Sequence, residues 1–443
     1  MADVRPFRGL RYDTRRAGDL ADLIAPPFDV ISPEEQAALH RRSPHNVVRL
    51  ELGEQRDTDT PQDNRYTRAA ACLRQWLQSG VLLHDETPCF YLYDQEFAHQ
   101  GRWRRRRTLL GRVRLEEWEV GAVRPHEHTL AQPKKDRLEL LRHTRVNVSP
   151  VFCLYRDPRG QVASILDQAR QDPPLLQAED ADQRHTLYAL SDAATIESVR
   201  PQFSDANIYI ADGHHRYETA LAYRDERRAQ ARTWSGHEPE NFVLMALTPA
   251  EDPGLLLLPV HRLLRPATIP HDLLSRLARS FRIEDITPHR DRTAALTELL
   301  ARMEAARPAV AFGALGLEKD RLHLLTLEDT QAAHALMPAQ CSPAWRSLDV
   351  SVLHHAVLGA ARGITPEGPE QEAALAYTED AAEALRQVET GRYPLAFLLN
   401  PTPIEQVLAV ADAGERMPQK STFFHPKLSA GLVMCPLDQD ADA

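Results

Sequence analysis

The segment Asp212-Gly213-His214-His215-Arg216 carries the densest chemistry in the chain. An apolar run over 206–211 precedes it, and a helix-forming run over 217–232 follows. A strand that turns sharply at a glycine into a helix presents unpaired N–H groups and the positive end of the helix dipole. Such a turn receives a phosphate. Gly213 lets the backbone approach closely because it lacks a Cβ. Arg216 offers a planar fork for two phosphate oxygens. His214 and His215 add donors, or carry a proton near neutral pH. The plainer alternative is that Asp212 caps the helix and both histidines are satisfied surface groups. The joint occurrence of strand, turn, arginine and helix favours the anion site.

A second polar segment is His126-Glu127-His128-Thr129, followed by Lys134, Lys135, Asp136 and Arg137 on a loop entering a helix. His126 and His128 in extended chain would project to one side, as metal ligands do. Spacing identifies no third ligand, so Glu127 is the better candidate, as a general base or as a ligand to magnesium. A third segment is Lys420-Ser421-Thr422 with Lys427. It resembles the end of a P-loop, but the preceding Arg416-Met417-Pro418-Gln419 lacks the glycine spacing. Only five of the 53 basic residues are lysine, and four of the five fall in these two segments. An ammonium is a compact charge that sits on one phosphate oxygen, which a guanidinium does not replace. Asp29, in the rigid Pro26-Pro27-Phe28-Asp29 loop, is a further candidate; His261 reads as structural.

These side chains need elements to hold them. Ser32-Pro33-Glu34-Glu35 reads as an N-cap with proline at N1, opening a helix to about residue 40. Strands are expected over 47–52, 89–95, 106–115, 151–155, 206–211, 242–248 and 254–260, with helices over 66–78, 136–144 and 217–232. The basic run 102–107 reads as a solvated hairpin, with a nucleic-acid grip as the alternative. The chemistry-dense part ends near Arg265-Pro266, so the expected division is 1–265, the phosphate-binding region, and 266–443. The second part keeps an α/β rhythm and contributes the Lys420–Lys427 segment. The acidic end, 438–442, reads as a frayed tail. The fold class is mixed α/β.

A length of 443 residues, with 43% hydrophobic and 26% charged, suits two or three globular domains. No apolar run is long enough to cross a bilayer, and the N-terminus lacks a signal-peptide layout, so a cytoplasmic location is expected. A net charge of −10 argues against a duplex-DNA binder. Cys72, Cys89, Cys153, Cys341 and Cys435 are isolated, odd in number and form no CxxC, which argues against a disulfide framework or structural zinc site and for buried thiols.

Taken together, the segments APPFDVIS, HNVVRLEL, HEHT, KKDRLELL, IYIADGHHRYETA, GLLLLPVHR and MPQKSTFFHPK resemble the bacterial and archaeal family called domain of unknown function 1015. The resemblance spans nearly the whole chain and implies no activity. Over about a dozen residues, IADGHHRYETA is also similar to the phosphate-binding box of the ParB/sulfiredoxin superfamily. That likeness implies that Gly213, His214, His215 and Arg216 contact phosphate. Sulfiredoxins carry a catalytic cysteine after the glycine, where this chain has His214. Partition proteins follow the box with a basic helix-turn-helix, which is not found after Arg232. The branch left is the free-serine kinase.

The expected function is therefore a nucleotide-dependent phosphotransferase acting on a small hydroxylated metabolite, serine-like among the options, with ATP or ADP and Mg²⁺. Gly213, His214, His215, Arg216, Arg137, Lys420, Ser421 and Thr422 are the candidate nucleotide ligands. Asp29, His126, Glu127, Lys134, Asp136, Asp212 and His215 are the candidate catalytic groups, with Glu127 also a metal ligand. The expected partners are a nucleotide and a small substrate, with no membrane and no nucleic acid, and a homodimer left open. The alternatives are a metal-dependent hydrolase using His126 and His128, and a non-catalytic nucleotide or phosphometabolite sensor.

Overall fold

The structure, a computed structural model, describes residues 2–118, 121–129, 131–170, 173–180, 182–265, 270–286, 291–359 and 374–437. The chain divides into two compact units. One comprises Met1–Pro125, Thr129–Leu255 and Pro426–Ala443; the other comprises His126–His128 and Leu256–His425. Both mix helices and strands, as expected of the α/β class.

The first unit is built on a large mixed sheet. Its strands are β1 (Val4–Arg5), β2 (Phe90–His99), β3 (Arg102–Arg114), β4 (Val123–Arg124), β5 (Val151–Tyr155), β6 (Leu176–Glu179), β7 (Gln183–Leu190), β8 (Ile208–Asp212) and β9 (Phe242–Pro249). They run in the order β4-β8-β5-β9-β3-β2-β7-β6, with β1 also on β3. Every residue of β5 is buried, and β9 is buried up to Thr248, so the centre of the sheet is covered on both faces. That explains their unbroken apolar runs. Its helices include α1 (Pro33–Arg42), α2 (Val48–Glu51), α3 (Arg65–Gln78), α4 (Ala131–Thr144) and α5 (His214–Gln230).

Three local expectations are corrected. Residues 47–52 do not form a strand; Val48–Glu51 is the helical turn α2. The side chain of Asn46 decides this. It donates to the carbonyls of Asp22 (2.8 Å) and Ile24 (3.1 Å) and accepts from Val48 N (2.9 Å). The arginine run is not all solvated hairpin: it lies in β3, and Arg106 and Arg107 are buried. Helix α4 begins at Ala131, so Lys134 and Lys135 stand on the helix and not on the loop before it. The acidic tail lies outside the described residues.

The second unit carries a six-stranded antiparallel sheet. Its strands include β11 (His261–Leu264), β12 (Phe281–Asp285), β13 (Ala311–Leu315), β14 (Leu322–Leu327), β15 (Leu375–Thr378) and β16 (Leu395–Leu398), in the order β12-β14-β13-β16-β11-β15. A separate pair joins β10 (Leu256–Leu258) to β17 (Phe423–His425). Residues 254–260 are thus not one strand; an irregular break at Pro259-Val260 divides β10 from β11. Among the described residues no helix is long and apolar enough to cross a membrane.

Candidate functional site

Strand β8 is buried along its length until Asp212, where a bulge between Ile210 and Asp212 breaks the register with β5. Bulges re-aim the residues that follow them. Here the chain turns through Gly213, at φ 91°, directly into α5. Gly213 is the N-cap and, lacking a side chain, makes no side-chain cap bond itself. Asp212 does not take the capping place; its Oδ1 accepts the Gly213 N–H at 2.8 Å.

Arg216 folds back over this turn. A Cβ on Gly213 would lie 2.8 Å from Arg216 Nε and 2.9 Å from its Cζ, so the guanidinium rests against the bare glycine. Its Nη1 donates to the Pro150 carbonyl. Its Nε is buried and has no hydrogen-bond partner among the described residues. An unsatisfied buried donor is costly, about 1–3 kcal/mol, unless a ligand takes it. The sequence segment thus forms the turn expected of it, with His214 buried and His215 half-buried at the start of α5.

Lys427 completes the charge pattern from the far end of the chain. Its Nζ donates to Asp212 Oδ2 at 3.1 Å, and Arg216 Nη2 stands 3.9 Å from the same oxygen. Burial opposes ionisation of Asp212, but Lys427 and then Arg216 outweigh it and hold the carboxyl well below the usual range. Asp29 sits in the short 3-10 turn Phe28–Val30. It keeps solvent access yet is crowded by protein atoms. That crowding, and the charge of Asp212, raise its carboxyl above the ordinary value, against the pull of Arg216 and Lys427. The two carboxylates are pushed in opposite directions, which separates a permanent anion from a group able to trade a proton.

Beneath this cluster lies Arg106, fully buried in β3. Its guanidinium stacks 4.9 Å from the Phe152 ring. Burial lowers its pKa to about 10. Its Nη2 donates to Gln95 Oε1 (2.5 Å) and to the Pro426 carbonyl (2.7 Å), and Gln95 Nε2 donates to the Lys427 carbonyl (3.1 Å). Arg106 and Gln95 thereby clamp the backbone at 426–427 and aim Lys427 at Asp212.

The other sequence candidates fall into three groups. Within the second unit, His126, Glu127 and the Lys420–Thr422 turn come together. His126 Nε2 lies 3.0 Å from Thr422 Oγ1, and Glu127 Oε1 accepts the Lys420 N–H at 2.5 Å. Ser421 Oγ donates to the Pro418 carbonyl. Buried Arg262 donates to the Lys420 carbonyl at 2.9 Å. In the first unit, Lys134 Nζ donates to Glu218 Oε2 at 2.8 Å, which Thr129 also reaches at 2.7 Å. Asp136 is held by Arg65, by the Tyr66 hydroxyl (2.7 Å) and by Arg137 (2.8 Å from Nε). Arg137 is in turn stacked 4.0 Å from the Phe28 ring and donates to the Glu51 carbonyl at 2.7 Å. Among the described residues no group of three His, Cys, Asp or Glu side chains is disposed to hold a metal ion.

Sequence reasoning missed Arg106, Gln95 and Glu51. Lys427 was signalled by the scarcity of lysine; Arg106 was hidden inside an arginine run that read as surface.

A profile of the family described as "Protein of unknown function (DUF1015)" matches residues 4–351. No curated protein matches the sequence. Among solved structures, a conserved hypothetical protein from Pyrococcus furiosus is similar over 73% of this chain and 95% of its own, at 13% identity and a TM-score of 0.32. A mutant free serine kinase in complex with ADP is similar over 72% of this chain and 87% of its own, at 11% identity and a TM-score of 0.34. Free serine kinase in complex with AMP matches over 72% and 86%, at 12% identity and 0.31.

Proposed function

The chain belongs to the DUF1015 family, a membership that assigns no activity, and from the geometry of the Gly213 turn we propose that it is a nucleotide-dependent phosphotransferase acting on a small hydroxylated metabolite. The observation that carries this reading is Arg216, folded over the glycine that caps the start of α5, with a buried Nε–H unclaimed. A cation in that place, with a glycine that admits close approach, suits a phosphate group.

In this reading the first-turn N–H groups of α5 and the Arg216 guanidinium bind the phosphates of ATP or ADP. Lys427 lies next to them and neutralises charge that grows on the transferred group. Asp212 stays ionised and holds Lys427 in place. Asp29, with its raised carboxyl, accepts the proton of the acceptor hydroxyl as that oxygen attacks the terminal phosphorus and the nucleotide oxygen leaves. His215, at the open end of the helix, is an alternative proton carrier. A Mg²⁺ ion arriving with the nucleotide would shield the phosphates.

The test is calorimetric titration of ADP and ATP, each with and without Mg²⁺, into wild type and Arg216→Ala. Loss of one charge-assisted contact costs about 1.5–3 kcal/mol, so binding should weaken by about ten-fold or more in the variant. Equal affinity in the two proteins would remove the reading's anchor. Phosphorylation of a hydroxylated amino acid by wild type, absent in the variant, separates a kinase from a nucleotide sensor.

A further inference from the structure

Guanidinium groups also collect away from the Gly213 turn. A cavity of about 100 Å³ in the first unit is lined by His40, Arg49, Glu54, Arg56, Arg65 and Arg68, together with a glycine and a thiol. None of these residues belongs to the Gly213 turn. Three helices build the walls: α1 brings His40, α2 brings Arg49, and α3 brings Arg65 and Arg68. Glu54 and Arg56 stand on the exposed connection between α2 and α3, so the mouth opens to solvent. Arg49 is fixed in place because the Asn46 cap sets α2 as a helix.

Like charges gathered around one space repel unless something neutralises them. Two of the guanidiniums are neutralised within the chain. Arg65 pairs with Asp136, and Arg68 pairs with Asp59 at 2.8 Å and Asp63 at 2.9 Å. The other two are not. Among the described residues, Arg49 and Arg56 meet no carboxylate within ion-pair distance; Arg49 Nη2 donates to the His40 carbonyl at 2.8 Å. Arg49 Nε and both ring nitrogens of His40 are buried without a hydrogen bond of ordinary geometry. Buried polar atoms left in that state are rare in folded proteins, and an ion is one of the few things that accounts for them. Glu54, the carboxylate of the lining, is exposed and pairs with neither arginine.

Size narrows the ligand. A water's share of the liquid is about 30 Å³, so the cavity has the scale of a few waters or one tetrahedral oxyanion. It falls short of the roughly 300–1,000 Å³ that larger ligands occupy. Guanidinium forks match phosphate oxygens in pairs. A phosphate group carries about −1.5 to −2 charge at pH 7, which two unneutralised guanidiniums balance. We infer that this cavity is an anion site separate from the Gly213 turn, and that it holds a single phosphate group between Arg49 and Arg56, with His40 beside it. The phosphate is free, or it is the end of a metabolite that extends through the mouth. Binding there does not depend on phosphate transfer at the Gly213 turn.

The experiment is isothermal titration of inorganic phosphate, glycerol 3-phosphate and acetate into Arg216→Ala, so that the Gly213 turn does not supply the signal. The same ligands are titrated into Arg216→Ala proteins that also carry Arg56→Gln or Arg49→Gln, all at one ionic strength. At least one of the two phosphate ligands should bind Arg216→Ala, and acetate, with a single charge, should bind about ten-fold more weakly or not at all. Arg56→Gln changes an exposed side chain and should fold as its parent does; it should weaken phosphate binding by about ten-fold or more. Arg49→Gln should do the same, and Arg56→Gln alone decides if a melting curve shows Arg49→Gln unfolded. Tighter binding of glycerol 3-phosphate than of phosphate would assign the site to phosphorylated metabolites, and the reverse order to free phosphate. No binding of either phosphate ligand to Arg216→Ala, binding undiminished by Arg56→Gln, or acetate binding as tight as phosphate would each overturn the inference.

Discussion

At the scale of single residues, the site depends on two carboxylates with opposed tendencies. Asp29 is raised, first by the crowding of protein atoms and then by Asp212; Asp212 is depressed by Lys427 and Arg216 despite burial. If Asp29 is the base, the acid limb of kcat/KM should lie above the ordinary Asp value of about 3.9. Asp212→Asn removes the repelling charge, so the limb should move to lower pH even if the rate falls. A limb that stays in place would assign the base role elsewhere. The stability consequence has a definite sign. An acid raised in the folded state binds its proton more tightly there, so its stabilising share is lost as pH rises from the unfolded value through the folded one. Asp29→Asn should therefore melt higher than wild type at pH 7, with the gap closing near pH 4, while activity disappears. Melting curves at the two pH values check this.

At the scale of elements, the turn from β8 to α5 depends on backbone freedom at one position. Gly213 has φ 91°, and a Cβ there meets the Arg216 guanidinium at 2.8 Å. Gly213→Ala should cost about 1–3 kcal/mol for the backbone and displace Arg216. Nucleotide binding should fall as far as in Arg216→Ala. A variant that melts lower yet binds ADP normally would separate the turn's fold from its use. Much of this element was legible in the sequence, because the apolar run, the glycine and the helix are contiguous. Residues 47–52 show the opposite case. Val47 and Val48 favour a strand by type, and only the Asn46 side chain, bonded to carbonyls some 20 residues earlier, bends them into α2.

At the scale of the whole molecule, the first unit is closed by its last residues. Pro426–Ala443 return to it, and Cys435–Pro436 pair with Val146–Asn147. Leu432, Val433 and Met434 are buried in it. Ending the chain at His425 would remove these side chains, at about 1.5–3 kcal/mol each. It would also leave Arg106 without its Pro426 carbonyl and Asp212 without Lys427. The sum rivals the whole stability of a domain, about 5–15 kcal/mol. The truncated protein should lose the melting transition of the first unit and all nucleotide binding. A wild-type transition in that protein would show that the tail is dispensable to the fold.

The sequence by itself determined the α/β class, the phosphate-type turn at 212–216 and the interest of the rare lysines, because each is written in neighbouring residues or in composition. It also brought His126 and Glu127 to notice, but not their partners at 420–422. Only the tertiary structure decided which distant groups meet: Lys427 with Asp212, Arg106 with Pro426, and Glu51 with Ser149. The physical reason is that a buried charge is identified by what neutralises it. For Asp212 that neighbour lies 215 residues away, and no local pattern in the chain encodes it. Arg106 differs from the exposed Arg105 beside it only in facing the inside of the unit, which strand pairing settles.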